Sequence, residues 1–201
     1  YAAALMGAGV LLAIFLVLVL GRWSWVVMAG DPVLRRCAIV GGVIVLVGHA
    51  LLPDRMVMVY TGYDLAARLF SFGEIPRYGA GVVALYGSLA DVLGADHRTI
   101  LLVNRLFGTL TMVPLLAAVL AVVGAKRAPV LVTMGLVLML PIVWRDHMSE
   151  AIISGSAWLL LTGVAGLLVG WLHEEHRAWA WLGLAPLAAG SVCRPEAPAA
   201  L

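Results

Sequence analysis

The chain alternates long apolar runs with short polar breaks, and the lengths of the runs carry the first prediction. A helix needs about 20 predominantly apolar residues, within a range of about 17 to 25, to cross the hydrocarbon of a bilayer. Runs approaching that length cover residues 2–20, 37–53, 100–124, 129–144, 151–172 and 178–193. Gly21-Arg22 closes the first run and Arg35-Arg36 opens the second. The runs 129–144 and 178–193 are short, so they need extended ends or a locally thinned bilayer. Lipid offers backbone groups no hydrogen-bond partner, so each run is expected to be a helix.

The segment Tyr78–His97, YGAGVVALYGSLADVLGADH, decides the topology, because a crossing there would move everything after it to the other side. It carries Gly79, Gly81, Gly87, Gly94 and Asp91, and an ionised Asp is costly at the bilayer centre. The pattern of Val82, Val83, Leu85, Tyr86, Leu89, Val92 and Leu93 suits an amphipathic helix at the interface. Residues 54–99 then form one long external loop with two juxtamembrane helices, 64–72 and 80–93. The expected fold is an all-α, polytopic transmembrane helix bundle.

Composition agrees with the runs. Of 201 residues, 63% are hydrophobic and 12% charged, whereas soluble domains carry about 25% charged residues. Mean hydropathy is +1.04. The net charge of +2 comes from 13 basic and 11 acidic residues, and the basic ones form no cluster that could hold a nucleic-acid backbone. Cys37 and Cys193 end different apolar runs, which reads as packing rather than a disulfide or metal site. The chain begins at Tyr1 and ends in RPEAPAAL, where a new apolar run starts. It is therefore expected to be a piece of a longer protein.

Orientation follows from the basic residues. Placing Arg22, Arg35 and Arg36 in the cytoplasm puts 54–99 outside, returns Lys126-Arg127 inside, and puts HEEHR (173–177) inside, as the positive-inside rule favours. Asp64, the loop WRDHMSE (144–150) and CRPE (193–196) then reach one extracytoplasmic surface.

Three polar clusters on that surface are candidates for chemistry. Asp64 follows Tyr63 and precedes LAARLF, so it is either a helix N-cap or a carboxylate that takes a proton from an acceptor hydroxyl or amine. Asp146 and Glu150, four apart, share a face if helical. Ser149 or Asp146 could cap the following span with Glu150 in its positive first turn, and the two carboxylates could also offer oxygen ligands to a divalent cation. Arg194 suits bidentate phosphate binding, or it snorkels to the interface beside Glu196. No D-x-D motif is present. HEEH (173–176) lacks the spacing of zinc peptidases and reads as a solvated connector. Trp23, Trp25, Trp144, Trp171, Trp179 and Trp181 read as an interfacial belt. His49 reads as a hydrogen-bonded core histidine, and Gly163, Gly166 and Gly170 as a helix-packing stripe.

The order of GYDLAARLFSFGEIPRYGAGVVALYGSLADVLG, VNRLFGTLTMVPLLAAV, LMLPIVWRDHMSE and AAGSVCRPEA resembles the GT-C superfamily of polytopic glycosyltransferases. The likeness is to the branch with protein mannosyltransferases and aminoarabinose transferases, over residues from about 35 onward. The resemblance implies a membrane enzyme, in the bacterial plasma membrane, that moves a sugar from a polyprenyl-phosphate-linked donor to an acceptor on the extracytoplasmic face. Asp64 would be its catalytic group. Asp146, Glu150, Arg194, Glu196, Tyr63 and Arg77 would bind substrate, and Asp64, Asp146 and Glu150 would be the candidate metal ligands. Ile75-Pro76-Arg77-Tyr78 departs from the family, which usually has histidine or lysine near this proline. Residues 1–36 would be an added N-terminal helix with a cytoplasmic loop, and 37–201 a partial GT-C-like module. The contrasting reading is a non-catalytic membrane scaffold or a transporter, whose external carboxylates bind ions or pair helices.

Overall fold

A computed structural model describes residues 2–51, 81, 83–94, 97–123 and 154–193. Among them there is no strand. The elements are α1 (Ala2–Gly30), α2 (Pro32–Leu51), a π-helical turn (Val83–Gly87) running into α3 (Ser88–Leu93), α4 (His97–Val123), α5 (Ser154–Leu172), a 3-10 turn (Glu174–His176) and α6 (Arg177–Cys193). Three stretches, Gly7–Gly30, Leu101–Val123 and Gly155–Leu172, are long and apolar enough to cross a membrane. The expected span 129–144, the helix 64–72 and Lys126-Arg127 lie outside the described residues.

The first helix does not stop at Gly21-Arg22. It continues to Gly30, because the apolar pattern resumes at Trp23 while Arg22 points outward. A single residue, Asp31, ends α1 and starts α2. Its N–H donates to Val27 O at 3.1 Å, and its Oδ1 accepts from the N–H groups of Val33 and Leu34 at 3.0 and 3.1 Å. Pro32 follows as the first helical residue, where its missing N–H has no partner to lose. Arg35-Arg36 therefore lie inside α2 rather than before it.

The buried side chains form two layers. In one, Ala13, Leu16 and Leu20 of α1 meet Leu85, Tyr86, Val103, Phe107, Leu159, Ala189 and Cys193. In the other, Trp23 and Val27 meet Leu34, Ala117, Ala118, Leu120, Val169 and Trp179. The starts of α4 and α5 and the end of α6 thus share a proximal end with Val83–Leu93. The ends of α1, α4 and α5 and the starts of α2 and α6 share a distal end. Consequently α1, α4 and α5 run in one direction and α6 in the other. The exposed Arg22, Arg35, Arg36 and Arg177 all belong to the distal half.

The α5–α6 hairpin is held by small residues, as the glycine stripe predicts. A Cβ on Gly163 would fall 2.5 Å from the Leu187 backbone, and one on Gly170 2.7 Å from Ala180. In lipid, where apolar burial between helices gains little, close backbone approach is a main source of association. Outward positions are large and apolar: Leu11 is 68% exposed, Leu18 64% and Leu161 53%. In water such a surface would be an aggregation liability, whereas hydrocarbon covers it at no cost. Two interior hydroxyls bond their own helix: Thr111 Oγ1 donates to Phe107 O at 2.7 Å, and Thr162 Oγ1 to Trp158 O at 2.7 Å.

Trp144 lies outside the described residues, and the other five tryptophans of the expected belt divide into two groups, which corrects that reading at Trp23 and Trp179. Trp25, Trp171 and Trp181 are well exposed, but Trp23 and Trp179 are buried and meet with ring centroids 5.9 Å apart. Cys193 is buried and Cys37 half-buried, in keeping with packing roles.

Candidate functional site

At the proximal end a polar node is closed inside the apolar layer. Asn104 lies about two turns into α4 and is fully buried. Its Oδ1 accepts from Tyr86 Oη at 2.7 Å and from the Gly155 N–H at 3.0 Å. The Gly155 N–H is one of the orphan donors that every helix leaves in its first turn. Asn104 therefore caps α5 across the fold, while it also holds the ring of Tyr86. In low dielectric such bonds are strong, and an unmet partner would be expensive.

Gly155 allows a close approach of α5 to Tyr86 and α4. A Cβ there would sit 2.8 Å from Tyr86 Oη and 3.3 Å from Asn104 Cα and Oδ1. Close approach recurs around Val83–Leu93: a Cβ on Gly9 would collide with Ala84 O and Ser88 Oγ, and one on Gly81 would lie 2.5 Å from the Val192 backbone. The segment is thus wedged between α1, α4, α5 and α6. Within it Leu85, Tyr86, Ser88 and Ala90 face inward, while Val92 and Leu93, expected on the same apolar face as Leu85 and Tyr86, are exposed.

The segment turns sharply into α4. Gly94 has φ +109°, a conformation that disfavours any side chain, and its N–H donates to Ala90 O at 2.9 Å. Thr99 Oγ1 then donates to Gly94 O at 2.7 Å.

Tyr63, Asp64, Arg77, Asp146, Glu150, Arg194 and Glu196 all lie outside the described residues. Arg194 directly follows Cys193, and Glu150 stands four positions before Ser154. Both Cys193 and Ser154 are at the proximal end. Arg105, inside the apolar run 100–124, lies within α4. Among the described residues no group of three or more His, Cys, Asp or Glu could hold a metal ion. The HEEHR turn is at the distal end, where Glu174, Glu175 and Arg177 are exposed and His176 stacks on Trp179 at 4.3 Å.

Tyr86 and Asn104 are not among the candidates that sequence raises. The hydrogen bonds of Asn104 Oδ1 to Tyr86 and Gly155 give the node a positional role. A lone Asn in the apolar run LLVNRLFG is the available signal, since polar groups inside spans bond neighbouring helices.

No protein family, curated protein or solved structure matches this chain.

Proposed function

We propose that the chain is part of a membrane glycosyltransferase of the GT-C kind, which moves a sugar from a polyprenyl-phosphate-linked donor to an acceptor on the extracytoplasmic face of a bacterial plasma membrane. Two things support this reading: the order of sequence motifs, and the shared end of the bundle. The observation that carries most weight is that α4 and α5 begin, and α6 finishes, at the proximal end. The helix ends that follow Glu150 and precede Arg194 in sequence therefore lie on one side of the bundle.

In this reading Asp64 takes the proton from the acceptor hydroxyl or amine as it attacks the anomeric carbon. The bond from that carbon to the carrier phosphate breaks, and Arg194 offsets the charge developing on the leaving phosphate. Asp146 and Glu150, with Tyr63, Arg77 and Glu196, hold the donor and acceptor. The oxygens of Asp64, Asp146 and Glu150 are of the type that binds a divalent cation.

In the alternative, a transporter or non-catalytic scaffold, the same carboxylates bind ions or pair helices, and a membrane crossing by Tyr78–His97 would favour it by dividing them between the two faces. The proximal end shared by α4, α5 and α6 supports the glycosyltransferase reading. The test is Asp64→Asn in the full-length protein, assayed with polyprenyl-phosphate sugars. Transfer is expected to vanish while expression and thermal unfolding stay unchanged. Wild-type turnover in that variant would remove Asp64 as the catalytic group.

A further inference from the structure

We propose that Asn104 is a positioning residue: through one oxygen it latches Val83–Leu93 and the first turn of α5 to α4, and so fixes how the two loops leading into them are presented to substrate. The loop that contains Asp64 joins the bundle through Val83–Leu93. The loop that contains Asp146 and Glu150 joins it through α5. Asn104 ties these two junctions together at a single atom, because its Oδ1 takes the Tyr86 hydroxyl at 2.7 Å and the Gly155 N–H at 3.0 Å.

The surroundings make the latch discrete. Tyr86 and Asn104 are buried at 1% and 0% exposure, so water cannot replace either partner. Gly155 lets α5 approach where a methyl group would strike Tyr86 Oη. Packed interiors of this kind switch between arrangements rather than deform continuously. Loss of the shared acceptor takes a hydrogen bond from two buried donors at once, and the segment relieves this by shifting away from α5. Misplacement of reacting groups by about 1 Å lowers rate by orders of magnitude.

The latch rests on the glycosyltransferase reading only for which loops carry the chemistry. Its test uses the full-length protein in lipid nanodiscs, with Cys37 and Cys193 replaced and spin labels on cysteines introduced at Val92 and Leu161, both exposed. Distance distributions are compared with the kinetics of sugar transfer from a polyprenyl-phosphate donor. Wild type and Asn104→Asp, which keeps an acceptor oxygen, are expected to give one narrow distance. Asn104→Leu is expected to broaden or displace it, and to lower kcat at least about tenfold with the donor KM little changed; Asn104→Asp recovers most of that loss. An unchanged distance and unchanged kcat in Asn104→Leu overturn the latch. If Asn104→Leu does not fold, Tyr86→Phe decides by the same two readouts, since it removes the Tyr86–Asn104 hydrogen bond and keeps the ring. If wild type transfers no sugar, the glycosyltransferase reading falls, and the distances alone decide the latch.

Discussion

Trp23 of α1 and Trp179 of α6 meet with ring centroids 5.9 Å apart and planes tilted by 57°, joining the first described helix to the last. Gly166 makes room for the contact, since a Cβ there would lie 2.5 Å from the edge of the Trp23 ring. The N-terminal helix is thereby built into the distal layer of the bundle. Truncating Trp23 to Ala is expected to lower stability by about 2 kcal/mol or more, mainly through the cavity and lost dispersion contacts. Trp25→Ala, at an exposed position, should fall within about 0.5 kcal/mol of wild type. Reversible unfolding in mixed detergent micelles separates the two.

The α5–α6 hairpin makes a second prediction. Gly163→Leu places a side chain where the Leu187 backbone stands 2.5 Å from the first added carbon, and a backbone cannot rotate out of the way. The loss is expected to be about 1–3 kcal/mol or more. Gly7→Leu, with nothing within 4 Å of the new carbon, should be neutral or stabilising, because glycine is the poorer helix former by about 1 kcal/mol. The same unfolding assay reads both.

Asp31 gives a third. It ends one helix and caps the next with a single carboxylate oxygen, so Asp31→Ala is expected to destabilise by about 1 kcal/mol. Asp31→Asn keeps the acceptor and should retain most of the stability. Amide hydrogen exchange at Val33 and Leu34 checks the mechanism: protection should fall in the Ala variant and persist in the Asn variant.

The helical runs were legible because their length and apolarity act through the solvent, which does not depend on knowing the neighbours. The runs at 100–124, 151–172 and 178–193 appear as His97–Val123, Ser154–Leu172 and Arg177–Cys193. Helix ends were less legible where a charge suggested a stop. Arg22, Arg35 and Arg36 sit on helices because a long side chain reaches outward without breaking the backbone ladder. Trp23 and Trp179 looked like Trp25 and Trp181 in sequence, and only the partner helix separates buried from exposed. At the proximal end, Gly155 and Asn104 acquire their meaning from a contact between residues far apart in the chain. A residue's type announces that it needs a partner, but the fold alone assigns one.

The proposed chemistry requires the polar loops to lie on one side of the membrane, and side-specific labelling measures that without an activity assay. Single cysteines replacing Asp64, Asp146, Arg194 and Glu175 in the full-length, otherwise cysteine-free protein are treated with a membrane-impermeant maleimide, on intact spheroplasts and on inverted vesicles. Positions 64, 146 and 194 are predicted to react in spheroplasts and to be protected in inverted vesicles, with position 175 showing the reverse. Reaction of position 64 from the opposite side to 146 and 194 would contradict a shared extracytoplasmic site.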